Sequence, residues 1–175
     1  TSYTERRTYL GHIGLVGVNL DYSFGELPSD AVLARKAFRY AFHELNGFPE
    51  WVDDLAQNFP SQFCSEIKGA LLADFNTERG DDDHHVSDCV SKIAYSDVRT
   101  RNLVAPMLLR MMMRALPKNR RDRMLCLDIV ARAPSVERNR LSRFLVSGYR
   151  AALTRFDFKE AWVWLDGLMN SNSRA

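Results

Sequence analysis

The sequence predicts an all-α protein whose helices pair antiparallel and stack as a short α-solenoid. Apolar residues recur with the 3.6-residue period of a helix face along most of the chain. Proline-marked corners at Phe48-Pro49, Phe59-Pro60, Leu116-Pro117 and Ala133-Pro134 divide these stretches, and no convincing strand pattern intervenes. About eight helices joined by corners of roughly two to five residues follow, which makes consecutive helices antiparallel neighbours.

Residues 1–25 read as a helix rather than a strand, with Tyr9, Leu10, Ile13, Val16 and Leu20 on one face. Gly11, Gly14 and Gly17 each cost about 1 kcal/mol against Ala in a helix, but their regular spacing lets another helix approach closely. A turn-rich linker spans residues 22–28. Ser29 or Asp30 then caps a helix reaching about Leu45, with Leu33, Ala34, Ala37, Phe38, Ala41, Phe42 and Leu45 as its apolar face. Gly47 suits a left-handed helix end and Pro49 the first turn of the next helix, which ends near Asn58. Phe63, Ile67, Ala70, Leu71 and Phe75 mark the following helix, and residues 76–84 form a flexible acidic loop.

Helical spacing returns at Val86, Val90, Ile93 and Ala94. Ser96 caps a longer helix that kinks at Pro106 and reaches Leu116. The next, from Arg120 to Ala133, is apolar nearly all round and therefore buried between neighbours. Ser135 caps a helix with Leu141, Phe144, Leu145, Gly148 and Ala152 inward. Asp157 and Glu160 then form a variant capping box before a helix that buries Phe158, Ala161, Trp162, Leu165, Leu168 and Met169, with Trp164 off this face where a further repeat would stack. The recurring corners without a strict period make the stack HEAT-like in style.

The 175 residues form a single helical-repeat domain over 1–175. The chain opens on Thr1-Ser2-Tyr3 without a Met, which points to a fragment of a longer protein whose chemistry lies elsewhere. An apolar share of 46% and a charged share of 26% fit an ordinary soluble domain. With no apolar run near the roughly 18 to 20 residues of a membrane span and no secretory pattern, a cytoplasmic location without membrane contact is expected. Three cysteines without C-x-x-C spacing indicate neither a disulfide framework nor a zinc ribbon, and Cys64 and Cys126 fit helix cores.

Charge is unevenly spread. Residues 98–155 hold fourteen Lys or Arg against three acids, a balance of +11, while the rest holds ten bases and nineteen acids, a balance of −9. At 100° per residue, Arg140, Arg143 and Arg150 form an exposed stripe opposite the core face of their helix, and Lys118, Arg120, Arg121 and Arg123 extend it at the preceding corner. Such a surface suits nucleic-acid phosphates without base readout, or docking against an acidic domain. Arg121, Asp128 and Arg132 share a helix face and can satisfy one another. Met107, Met111, Met112, Met113 and Met124 form a local excess suited to an irregular core or an adaptable groove.

One cluster has metal-ligand types: His84 with Asp88 and His85 with Cys89 are i,i+4 pairs after three aspartates. The plainer reading is a solvated loop whose acids favour a helix N-terminus, so neither a metal nor a cofactor is expected. No G-x-S-x-G elbow or P-loop occurs, and His12 and His43 read as packing or surface residues.

The run Glu44-Leu45-Asn46-Gly47-Phe48-Pro49-Glu50-Trp51-Val52, with Leu55-Ala56 and Phe59-Pro60 following, resembles the helical-repeat regions beside the nucleotide-binding module of large bacterial STAND-type NTPases, including NACHT-like defence proteins. The resemblance implies recognition rather than catalysis. The expected role is a non-enzymatic scaffold or sensor section for protein recognition or domain packing; the alternative is a nucleic-acid-binding module built on residues 98–155.

Overall fold

The computed structural model describes residues 3–23, 28–76 and 88–172. Among them the chain forms nine α-helices and no strand: α1 (Tyr3–Ser23), α2 (Ala31–Ala41), α3 (Trp51–Asn58), α4 (Pro60–Asn76), α5 (Asp88–Tyr95), α6 (Val98–Met112), α7 (Arg120–Arg132), α8 (Arg138–Thr154) and α9 (Phe158–Asn172). The all-α expectation holds. The acidic loop expected at 76–84 lies outside the described residues except for Asn76, which ends α4.

Packing proceeds along the chain. The principal pairings join α1 to α2, α2 to α4, α4 to α5 and α6, those to α7, α7 to α9, and α9 to α8. Helix α7 lies against α5, α6 and α9, burying Cys126, Leu127, Ile129, Val130 and Ala131, but the burial is not complete all round: Leu125 is half-buried and Met124 is exposed.

Several helix ends differ from the sequence reading. Asp30 caps α2, its Oδ1 accepting from the N–H groups of Val32 (2.8 Å) and Leu33 (2.9 Å). But α2 stops at Ala41 rather than Leu45. The buried Lys92 donates through Nζ to the Phe42 carbonyl at 2.9 Å and to Asp88 Oδ2 at 2.7 Å. A cation at this carbonyl end complements the helix dipole, from an element 50 residues away in sequence. The chain then turns off the helix axis. Leu45 therefore points to solvent, and Leu33 is exposed as well.

Gly47 takes a φ of 127°, which a side chain rarely adopts. The corner closes on an aromatic cluster: Phe38 and Phe63 lie 5.0 Å apart, Phe42 and Phe48 5.8 Å, and Phe48 and Phe63 6.0 Å. Phe59 alone separates α3 from α4, with Pro60 opening α4.

Two of the three α1 glycines admit side chains of α2 and of the turn that follows it. A Cβ on Gly11 would run into the His43 ring and one on Gly14 into the Tyr40 ring, while Gly17 faces open space. Trp51, buried in the core, donates its indole N–H to Asn19 of α1 at 2.6 Å. The face expected to be buried is reversed, however: Leu15 packs inward, and Leu10, Ile13, Val16 and Leu20 are exposed.

Asp97 rather than Ser96 caps α6, accepting from Arg99 N–H at 2.7 Å. The helix runs through Pro106 and ends at Met112, before the expected Leu116. Ser135 donates to the Asn102 carbonyl at 2.6 Å instead of capping α8, whose N-cap is Glu137. Asp157 does cap α9, accepting from Glu160 N–H at 2.9 Å. The reciprocal half of the capping box is absent because the Glu160 carboxylate turns inward to Arg123.

Candidate interaction surfaces

The basic cluster divides into an inward and an outward set. Arg123 makes a two-pronged pair with the buried Glu160, from Nε to Oε1 at 2.9 Å and from Nη2 to Oε2 at 2.7 Å. Its Nη1 donates to the carbonyls of Pro117 (2.6 Å) and Lys118 (2.9 Å). Trp164 Nε1 donates to Glu160 Oε1 at 3.0 Å. Arg120 approaches the same carboxylate at 3.6 Å and Asp157 at 3.8 Å. Arg120 and Arg123 thus fasten the start of α7 to the start of α9. Lys118 and Arg121 are exposed, and Arg132 pairs with Asp128 at 2.6 Å.

The outward set lies along α8. Arg140, Arg143 and Arg150 are exposed on α8 as expected. Arg143 and Arg150 line a shallow concavity of about 340 Å³ with Ser142 and Ser147. Arg140 Nε reaches Met113 Sδ at 3.3 Å, connecting α8 with the end of α6. There, Lys68 of α4, Arg110 of α6 and Arg114 just past the end of α6 line a groove of about 460 Å³ over Cys64, Met107 and Met111. Arg110 and Arg114 fall within the basic 98–155 segment without having been singled out there, and Lys68 lies outside it. Among the described residues, no carboxylate pairs with Lys68, Arg110, Arg114, Arg140, Arg143 or Arg150, in contrast to Arg39, Arg99, Arg120, Arg123 and Arg132.

Two helices present apolar residues to solvent. On α9, Phe158, Trp162 and Met169 are 68%, 65% and 61% exposed, whereas Trp164 is only 2% exposed. This reverses the expected burial of the two tryptophans. Gly148 of α8 makes room for the Trp164 ring, which also packs edge-on against Phe144 at 5.2 Å. The core side of α9 is Ala161, Val163 and Trp164, and the outer side is Phe158, Trp162 and Met169 with the half-buried Leu165 between them. On α1 the corresponding face is Leu10, Ile13, Val16 and Leu20.

Phe156 extends the α9 face. Its N–H donates to the Leu153 carbonyl (2.9 Å) and the Asp157 N–H to that of Ala152 (3.0 Å), the Schellman bond pattern at the end of α8. This motif places Phe156 at a φ of 57°, where glycine is usual, and leaves its ring 79% exposed. A bulky residue in this conformation costs roughly 1–2 kcal/mol. Strain retained for a solvent-facing aromatic points to a role for that aromatic.

His84 and His85 lie outside the described residues. Of their suggested co-ligands, Asp88 holds Lys92, and Cys89 is buried with its thiol pushed well above the usual range, first by burial and then by Asp74 and Asp88. Cys126 is shifted the same way, chiefly by burial. Among the described residues, no group of three His, Cys, Asp or Glu side chains is arranged to hold a metal, and no helix is long and apolar enough to cross a membrane.

Comparison with family models, curated proteins and solved structures finds no match.

Proposed function

We propose that this chain is a non-enzymatic scaffold section of a larger cytoplasmic protein, a HEAT-like stack whose outer faces receive neighbouring helices or protein partners. The exposed apolar face of α9 carries the reading. An end helix that closes a solenoid needs a polar outer side; α9 instead presents Phe158, Trp162 and Met169, with the strained Phe156 beside them. Burying such side chains yields about 1.5–3 kcal/mol each, enough together to hold a further helix in place. The apolar face of α1 offers a second packing surface, and the successive pairing from α1 to α9 suits a stacked repeat. The resemblance of residues 44–60 to repeat regions of STAND or NACHT-like defence NTPases accords with this role and assigns ATP hydrolysis to another part of the parent.

The test pairs two contexts. In the 175-residue chain, Trp162→Lys with Met169→Lys should leave stability within about 0.5 kcal/mol, because both positions face water. In the full-length parent the same pair should expose a new protease-sensitive site and lower the melting temperature. Equal, negligible effects in both contexts would remove the proposal.

A further inference from the structure

We infer that the basic surface running from the α4–α6 groove to the outer side of α8, whose cations pair with no carboxylate among the described residues, is a track for the phosphate backbone of double-stranded nucleic acid. It uses a surface separate from the α9 face and does not depend on the scaffold reading.

Six cations form the track: Lys68, Arg110 and Arg114 around the groove, then Arg140, Arg143 and Arg150 along α8. Continuity comes from Arg140, whose Nε lies 3.3 Å from Met113, the residue immediately before Arg114. Elsewhere the described arginines often meet a carboxylate: Arg39 at Glu66, Arg99 at Asp97, Arg120 and Arg123 at Glu160, and Arg132 at Asp128. A patch of cations left outside these pairings retains its field for a ligand.

Length and chemistry decide the class of ligand. From Arg140 to Arg150 the helix rises about 15 Å, and the groove adds to that reach, which suits a polymer better than a small anion. Five of the six are arginines, whose planar forks match phosphate oxygens with two hydrogen bonds. Ser61 and Ser65 in the groove, and Ser142 and Ser147 beside α8, add hydroxyl donors of the type that contact phosphates. No aromatic side chain lines either concavity. Single strands are ordinarily held by stacking bases on aromatic rings, so a duplex held by its backbone fits better.

Fluorescence anisotropy of the 175-residue chain with a labelled 20-base-pair DNA duplex of mixed sequence is the test. At 50 mM salt, saturable binding with a Kd of roughly 1–10 µM is expected, independent of sequence. If all six cations meet phosphates, the log–log salt slope should approach about −5. Arg143→Ala with Arg150→Ala, and separately Arg110→Ala with Arg114→Ala, should each weaken binding at least tenfold and reduce the slope by about 2. Arg99→Ala, which removes an acid-paired arginine, should change nothing. Lys68→Glu provides an independent exposed-site variant and should also weaken binding tenfold. No saturable binding at 50 mM salt, binding indifferent to these variants, tighter binding of the single strand, or equal affinity for poly-glutamate of matched charge would each overturn the inference.

Discussion

Removing the Glu160 carboxylate should be among the most damaging single changes in this fold. Glu160 is 4% exposed and accepts three hydrogen bonds of 2.7–3.0 Å, two from Arg123 and one from Trp164, while Arg120 approaches at 3.6 Å. Glu160→Ala strands the Arg123 guanidinium at the α7–α9 junction with only the Pro117 and Lys118 carbonyls as partners, and leaves the Trp164 N–H unmet. Breaking one side of a buried ion pair costs about 3–5 kcal/mol. At about 2–4 °C per kcal/mol for a chain of this size, the melting temperature should fall by roughly 6–20 °C. Replacing both partners with apolar residues, Arg123→Met with Glu160→Leu, should recover most of that loss, because no buried charge is then left alone. Urea denaturation of the two variants beside the unaltered chain gives the comparison. A Glu160→Ala loss below about 1 kcal/mol, or a double variant no better than the single, would refute the reasoning.

Gly148→Ala adds a methyl that meets the buried Trp164 ring. An overpacking cost of about 1–3 kcal/mol, less up to about 1 kcal/mol of helix propensity, should leave a net loss of about 1–2 kcal/mol by urea denaturation. Phe156→Gly should raise stability by about 0.5–1 kcal/mol in the same assay, since it relieves the left-handed strain at an exposed site. His43 has its pKa lowered from 6.5, first by burial, then by His12 and Lys92. The folded state therefore binds fewer protons than the unfolded one just below pH 6.5, and stability should fall as pH drops through that window. His43→Gln should flatten this part of the pH–stability curve, a change readable from thermal melts between pH 7.5 and 5.5.

Helix identity was readable from the chain because apolar spacing and prolines are local signals. Helix ends were less so where the deciding partner lies far away, as with Lys92 closing α2 at Phe42 or Ser135 spending its hydroxyl on Asn102. Face assignment failed for α1 and α9 for one physical reason: both carry apolar residues on two sides, and periodicity alone does not choose the inner one. Packing does, through Gly148 and Glu160, which seat Trp164 and turn Trp162 outward. The basic cluster was visible as composition, but its division was not. Arg123 is separated from Glu160 by 37 residues, while Lys68 joins Arg110 and Arg114 only because α4 packs against α6.

The most direct test of the scaffold reading is hydroxyl-radical footprinting at Trp162 and Met169, read by mass spectrometry with Trp164 as the buried reference. In the 175-residue chain both positions should oxidise freely and Trp164 should not. In the longer parent that the scaffold reading proposes, Trp162 and Met169 should become protected to a level near that of Trp164. Equal oxidation of Trp162 and Met169 in both contexts would contradict the account.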